Sequence, residues 1–304
     1  MIFFNLKYFY ATLALLITIV RPLSSQIPDF SKVPILEEGD SLNIIYLVNN
    51  GIKISDRKVI AWFPKDSLSE KKMREITGTI NAGIAGAEKL INAPLAWQAQ
   101  QPNEPYTFYF RSDRFISHAS GAGYISIPFW RIKEGKSPWL HEVMHEMLRP
   151  KTGSWVSKDI SEKEWSENMP LWLFEGLPDY ISLQVSMSKN LPWFDVFSNS
   201  SQTNIDSLFV HEIKSDKGPY ILSFIGVKGA MPELFSNDRI FYAPAFYHGS
   251  SSFVHYLSGK YGIKVLVSGI ASFGKELETI EKFTGKSLTV LKQEWQKKLK
   301  IESR

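Results

Sequence analysis

A short apolar stretch near the middle of the chain, Trp139–Leu148, carries the sequence H-E-V-M-H from His141 to His145. Pro138 precedes the helical part of this stretch and Pro150 follows it, which is typical of the two ends of a helix. Residues four apart lie on the same face of a helix, so the two imidazoles can reach one point. Polar groups inside an apolar helix lower stability unless they have a partner, and a shared metal ion is such a partner. Whatever packs around this helix is therefore expected to supply the remaining ligands.

A further ligand is predicted downstream, in the apolar helical run at residues 171–180, which contains Glu175. Two imidazoles and one carboxylate, with a fourth position open, form the ligand set of catalytic rather than structural zinc. Glu142 is one position from His141, so it can reach a water on the metal without ligating beside the histidines. Asp179 follows Glu175 by one helical turn and is predicted to accept the second ring N–H of a ligating histidine. The alternatives are a salt-bridged or helix-terminal carboxylate for Glu175 and an ordinary surface acid for Asp179.

Other metal-site patterns are absent from the sequence. The extended motif with a third histidine requires Gly at position 148 and His at position 151, where this chain has Leu148 and Lys151. The inverted H-x-x-E-H order does not occur, and the absence of cysteine excludes thiolate ligands and disulfides. The sequence therefore predicts one Zn²⁺ ion held by His141, His145 and Glu175.

Composition limits the class of protein. The chain has 304 residues, 44% of them hydrophobic, which is enough for one large domain or two lobes that share a cleft. Its formal net charge of +4 is spread along the chain without a dense block of Lys and Arg. This pattern argues against a nucleic-acid-binding protein.

The first 25 residues have the pattern of a secretory signal peptide. Lys7 precedes an apolar segment of about 10 residues, Ala11–Val20, and small residues follow it near Ser25. The predicted mature chain is 26–304, secreted or extracytoplasmic. The alternative is an uncleaved anchor through residues 8–22, which would tether the protein to a membrane with the domain outside.

The periodicity of apolar residues predicts an α+β fold. Strands are expected in the first half, helices in the second, and a possible strand at 44–48 lies in an otherwise irregular N-terminal region. We expect an N-terminal lobe of about 26–150 with a small mixed sheet and the H-E-V-M-H helix, and a helical C-terminal lobe of about 151–304. Residues 151–168 are predicted to form a surface loop, and 189–245 are not assigned. The predicted strands are 59–63, 106–110 and 124–128; the predicted helices are about 66–92, 137–149, 170–188, 250–260, 264–273 and 287–300.

Three blocks together resemble the peptidase MA-like gluzincins, distant relatives of the thermolysin and aminopeptidase N groups. The blocks are H-E-V-M-H, the L-W-L-F-E-G-L-P-D-Y sequence at 171–180, and the segment 247–262 that contains Tyr247. The resemblance covers roughly residues 105–300 and is most specific in the first two blocks. It implies a zincin-like fold, zinc ligands at His141, His145 and Glu175, and a general base at Glu142.

The resemblance also implies two features of a substrate site. A strand just before the zinc helix, matching Gly123–Ile127, is expected to pair with the backbone of a peptide substrate. Tyr247 aligns with the tyrosine that stabilises the oxyanion in the aminopeptidase branch. Tyr242, His248 and His255 are alternatives for this donor, and a core aromatic without a catalytic role is the other interpretation of Tyr247.

The chain departs from the family pattern at three points. The spacing from His145 to Glu175 is longer than in well-known relatives, and Pro178 stands where a small helix-forming residue is usual, which predicts a bend. The G-x-M-E-N signature that binds a free α-amino group is missing, which favours an endopeptidase over an aminopeptidase. The sequence hypothesis is therefore a secreted zinc endopeptidase acting on peptides or proteins. The alternative is a non-catalytic, zinc-stabilised binding or scaffold protein of the cell envelope.

Overall fold

The computed structural model describes ten segments of the chain, and the structural statements below concern these segments. They are residues 36–91, 105–112, 117–119, 124–135, 137–148, 168–191, 204–214, 218–229, 242–272 and 274–301. The predicted signal peptide at 1–25 and nearly all of the predicted loop at 151–168 lie outside them.

A five-stranded mixed sheet occupies the N-terminal half of the described chain. The strands have the spatial order β1-β2-β3-β5-β4. The two inner pairs, β2–β3 and β3–β5, are parallel, whereas β1 and β4 pair antiparallel at the two edges. The predicted small mixed sheet and its three predicted strands are confirmed. The strands are β1 (Ile52–Asp56), β2 (Val59–Phe63), β3 (Tyr106–Arg111), β4 (His118–Ala119) and β5 (Tyr124–Pro128).

The possible strand at 44–48 is wrong, because these residues lie in helix α1 (Leu36–Asn50). Burial along this run is helical rather than alternating: Leu47 is buried against the sheet while its neighbours on either side are exposed. The chain turns into β1 at Gly51, whose N–H donates to the Leu47 carbonyl at 2.7 Å. A side chain at Gly51 would meet that carbonyl oxygen at 2.5 Å, so the turn requires glycine.

Helices dominate the remainder, as the sequence predicts. The helix predicted at about 66–92 is α2 (Glu70–Ile91), and the short α3 (Phe129–Lys133) follows β5 directly. Besides α1 and α3, three of the helices below were not predicted from the sequence: Ile205–Ile213, Gly218–Ser223 and Glu276–Thr284. The others in chain order are α4 (Trp139–Met147), α5 (Leu171–Lys189), α6 (Ile205–Ile213), α7 (Gly218–Ser223), α8 (Ala243–Tyr261), α9 (Ile263–Ala271), α10 (Glu276–Thr284) and α11 (Leu288–Lys298).

One apolar cluster joins the sheet to the helices of the second half, from Ile54 in β1 to Trp295 in α11. Helix α5 is central to it, because it packs against α2, α4 and α8. The α5–α8 contact is close at Gly176, where an added methyl group would lie 2.6 Å from the Ser250 carbonyl carbon. Glycine at this position therefore lets the helix that carries Glu175 approach the helix that carries Tyr247.

The mixed α+β class is confirmed by the five-stranded sheet and the many helices. The division into two lobes at about residue 150 stays a prediction. Within the described residues, no helix is both long enough and apolar enough to cross a membrane.

Candidate metal centre

Helix α4 carries the H-E-V-M-H sequence in a largely buried position. Its apolar residues Val143, Met144 and Met147 are fully buried, and it contacts β4, β5, α2 and α5. His141 is 3% exposed and Glu142 is 5% exposed, so both polar groups have left bulk water. Such burial lowers the stability of the protein unless the groups have polar partners or bind a ligand. The residues that face His141 and Glu142 are therefore expected to provide such partners.

Helix α5 brings Glu175 to the histidine pair. The Nε2 atoms of His141 and His145 lie 2.9 Å apart, and the Glu175 Oε2 atom lies 3.3 Å from the first and 3.4 Å from the second. The three predicted ligand atoms therefore form a nearly equilateral triangle. They are the only group of three or more potential ligands of this kind found within the described residues.

The size of this triangle fits zinc. With Zn–N and Zn–O distances of about 2.0–2.1 Å, two ligands of a tetrahedral ion stand about 3.3 Å apart. The observed spacings of 2.9, 3.3 and 3.4 Å are close to this value. Nitrogen and carboxylate oxygen are also ligands that zinc accepts, and three protein ligands leave a fourth position open. The residues present therefore fit a catalytic rather than a closed structural zinc site.

Asp179 lies on the far side of the His141 ring. Its Oδ1 atom is 3.1 Å from His141 Nδ1, so the ring N–H donates to the carboxylate. A neutral imidazole that carries its proton on Nδ1 presents a lone pair at Nε2, towards His145 and Glu175. The predicted role of Asp179 as the acceptor that orients a ligating histidine thus has the geometry that it requires.

The electrostatics of the site favour a cation. Burial alone lowers the pKa of His141, but Asp179 and Glu175 outweigh it and raise this pKa to about 10. Burial alone raises the pKa of Glu175, yet the two histidines hold this pKa well below its usual range. The buried Asp179 and the partly exposed Glu175 thus create a negative potential at the point where the three ligand atoms converge.

Replacing Asp179 with Asn is expected to weaken zinc binding about 10–100-fold, because the isosteric amide removes the negative acceptor at His141 Nδ1. Competition with a chromophoric chelator measures the affinity. The melting temperature of the zinc-free protein provides the control for a general loss of stability. An unchanged zinc affinity would remove Asp179 from this orienting role.

Two residues near the site, Glu146 and Arg131, were not singled out by the sequence analysis. Glu146 is fully buried on α4, and its charge contributes to a raised pKa at Tyr106, for which burial is the main cause. Burial lowers the pKa of Arg131, on α3, and the negative charge of Glu142 offsets part of this lowering. Arg131 also donates to Ser117 Oγ at 3.2 Å.

Tyr247 lies beside His141. Its ring centroid is 6.4 Å from that of His141, and the side chain is 7% exposed. It is on α8, which begins at Ala243, earlier than the predicted 250–260 helix. The structure therefore places this predicted oxyanion donor beside a predicted ligand.

The three alternative donors, Tyr242, His248 and His255, contact residues of other helices. Each is engaged by a neighbour that is not one of the predicted zinc ligands. Tyr242 packs its ring 4.8 Å from that of Tyr220, His248 Nδ1 lies 2.8 Å from a Glu212 oxygen, and His255 Nδ1 lies 3.4 Å from an Asp206 oxygen and stacks on Tyr180.

The predicted substrate-pairing strand requires a correction. β5 (Tyr124–Pro128) is not at the edge of the sheet, since β4 pairs with it antiparallel through His118–Ser126 and Ala119–Ile125. The edge on this side of the described sheet is β4, which also contacts α4. A peptide that extends the sheet by backbone pairing would therefore add to β4.

No family model and no curated protein matches the chain. Among solved structures, it is similar to an M1 zinc metallopeptidase from Deinococcus radiodurans, in a point mutant bound to a Tyr-Ser-Ala substrate. The identity is 13% and the TM-score 0.45, over 81% of this chain and 51% of that one. Another structure of M1 zinc metallopeptidase from the same organism gives 15% and 0.44, over 81% and 47% of the two chains.

A two-domain M1 zinc metallopeptidase mutant bound to L-tryptophan is also similar, with 15% identity and a TM-score of 0.43. The match covers 84% of this chain and 52% of that one. The chain thus spans about half of the length of the solved structures that it matches.

Proposed function

We propose that this chain is a zinc-dependent peptidase in which His141, His145 and Glu175 hold one zinc ion. The observation that carries the proposal is the triangle of ligand atoms, with sides of 2.9–3.4 Å, contributed by two successive described helices. If Glu175 were only a structural carboxylate paired with an imidazole, one histidine would be sufficient. Two imidazole Nε2 atoms directed at the same carboxylate oxygen are explained by a shared ion.

Glu142 is the proposed general base. It is on the same helix as both histidines, one position from His141, and it is almost fully buried. Bound zinc would supply a Lewis acid that lowers the pKa of a water to about 7. Glu142 would take a proton from the water that attacks the peptide carbonyl and would pass the proton to the leaving amine.

Tyr247 and Asp179 complete the proposed machinery. The Tyr247 hydroxyl donates a hydrogen bond to the carbonyl oxygen of the substrate, on which negative charge develops during the reaction. This hydrogen bond stabilises the transition state more than the bound substrate. Asp179 holds the tautomer and the ring orientation of His141. The missing G-x-M-E-N signature supports an endopeptidase, and the first 25 residues support secretion, with a retained tether at 8–22 as the alternative.

Removal of the metal tests the proposal. The purified chain is expected to bind about one zinc ion and to cleave a mixed pool of unstructured peptides. Chelation abolishes this cleavage and added zinc restores it, whereas magnesium, which prefers an all-oxygen site, does not. Elemental analysis and mass spectrometry of the products provide the measurements.

The same experiment separates the two functions considered for this site. Bound zinc with no cleavage of any peptide in the pool would favour the zinc-stabilised binding protein. A chain that binds no zinc would contradict both.

A further inference from the structure

Arg131 occupies a junction between the edge of the sheet and the predicted catalytic helix. It is on α3, which begins where β5 ends and precedes α4. Its Nη1 atom donates to Ser117 Oγ at 3.2 Å, and Ser117 immediately precedes β4. Its guanidinium thus lies at the start of the strand to which a peptide substrate would add.

The same guanidinium is in the electrostatic field of Glu142. Burial lowers the pKa of Arg131 and the charge of Glu142 opposes this lowering, so the two charges attract each other through a partly desolvated region. Arginine stays protonated despite such a shift. A positive charge is therefore kept at the start of β4, within the electrostatic reach of the proposed general base.

Arg131 has unused binding capacity. Guanidinium carries five N–H donors in a planar fork that matches a carboxylate. Within the part of the chain that the structure describes, Arg131 donates to Ser117, contacts the Trp130 ring at 5.7 Å and has no carboxylate at ion-pair distance. The residue is half-buried rather than fully enclosed.

We propose that Arg131 binds a carboxylate of the peptide substrate, so that the site selects peptides with an acidic side chain or a free C-terminal carboxylate near the bond to be cleaved. The inference rests on the proposed function. A peptide that pairs with β4 would lie next to Arg131, whose Nη1 atom donates to Ser117 at the start of this strand, and β4 also contacts α4, the helix of the proposed centre. A charge-assisted contact in this desolvated region is worth more than one on the open surface.

Equilibrium binding to the zinc-loaded Glu142→Gln variant tests the inference without turnover. Three fluorescent pools of otherwise neutral decapeptides are compared by anisotropy. One has Gln at the central position and an amidated end, one has Glu at the centre and an amidated end, and one has Gln at the centre and a free C-terminal carboxylate. At least one carboxylate pool is expected to bind about tenfold or more tightly than the neutral pool, and the pool that gains identifies the source of the carboxylate.

In the Glu142→Gln protein, the second substitution Arg131→Gln is expected to abolish this preference. Arg131→Lys is expected to retain part of it, since lysine keeps the charge but lacks the planar fork of N–H donors. Lys133→Gln is the matched control, because it removes an equal charge from an exposed position of the same helix. Melting temperatures report whether each variant is folded. Equal binding of the three pools, or a preference that survives Arg131→Gln, would overturn the inference.

Turnover by the wild-type protein separates this inference from the proposed function. Cleavage without any carboxylate preference would refute the role of Arg131 alone. An equal loss of kcat on neutral and acidic peptides in Arg131→Gln would show that Arg131 acts through Glu142 instead. Absence of all cleavage would count against the proposed function, while the binding difference would still decide the role of Arg131.

Discussion

Replacing Glu142 with Gln is expected to lower kcat by about 10²–10⁴-fold while zinc stays bound. Gln keeps the size of the side chain but cannot take a proton from the attacking water. The three atoms that converge on the metal position belong to His141, His145 and Glu175, so the substitution leaves the ligand set intact. The variant should therefore lose activity without losing zinc.

The measurements are kcat on a peptide that the wild-type protein cleaves and the zinc content of the same sample. Glu175→Gln is the matched control, because it makes the same chemical change on the neighbouring helix but removes a ligand. That variant should lose zinc and activity together. If Glu142→Gln retains full kcat, Glu142 is not the base; if it loses zinc, the residue acts on the metal site rather than on the proton.

Sequence periodicity predicts the elements that have a broad apolar face. The helix α2 is one of them: it buries Met73, Ile80 and Ile84 in a helical stripe, and its predicted span matches the structure closely. The helix α6 was missed because only Ile205 and Phe209 on it are buried, one turn apart. One local signal was available there, since Asn204 caps the helix by accepting from the Ser207 N–H at 3.1 Å.

The error at residues 44–48 has a different cause. A run of five apolar residues is compatible with either a buried strand or one side of a helix, and periodicity does not separate the two. The signal that separates them is Gly51, which follows a helix and accommodates the tight turn into β1. The strand of this region is β1, which was not predicted and begins after that glycine.

The sequence likewise predicts the features of the candidate site that lie within one helix, but not those that depend on tertiary packing. The spacing of His141 and His145 places both rings on one helix face, and the one-turn spacing of Glu175 and Asp179 places both acids on one face of the next helix. The distances between the two helices depend on packing, including the close approach at Gly176, and no sequence spacing contains them. Arg131 was not predicted as a site residue, because only the fold brings Ser117 within hydrogen-bond distance of it and places it in the electrostatic field of Glu142.

The Tyr247→Phe variant is expected to lower kcat by about 10²–10³-fold with little change in KM, because the hydroxyl donates mainly to charge that develops in the transition state. Phe keeps the ring that lies 6.4 Å from the His141 ring, so packing against His141 is preserved. Zinc content and melting temperature should therefore stay close to those of the wild-type protein.

Tyr242→Phe provides the matched control, since it removes one hydroxyl from a tyrosine five residues earlier whose ring packs on Tyr220. Steady-state kinetics of both variants on one peptide, with zinc measured in each sample, compare the two positions directly. A large fall in kcat for Tyr242→Phe and a small one for Tyr247→Phe would transfer the oxyanion role to Tyr242. Small effects in both would leave Tyr247 as a core aromatic and require another donor, of which His248 and His255 are the remaining candidates on the same helix.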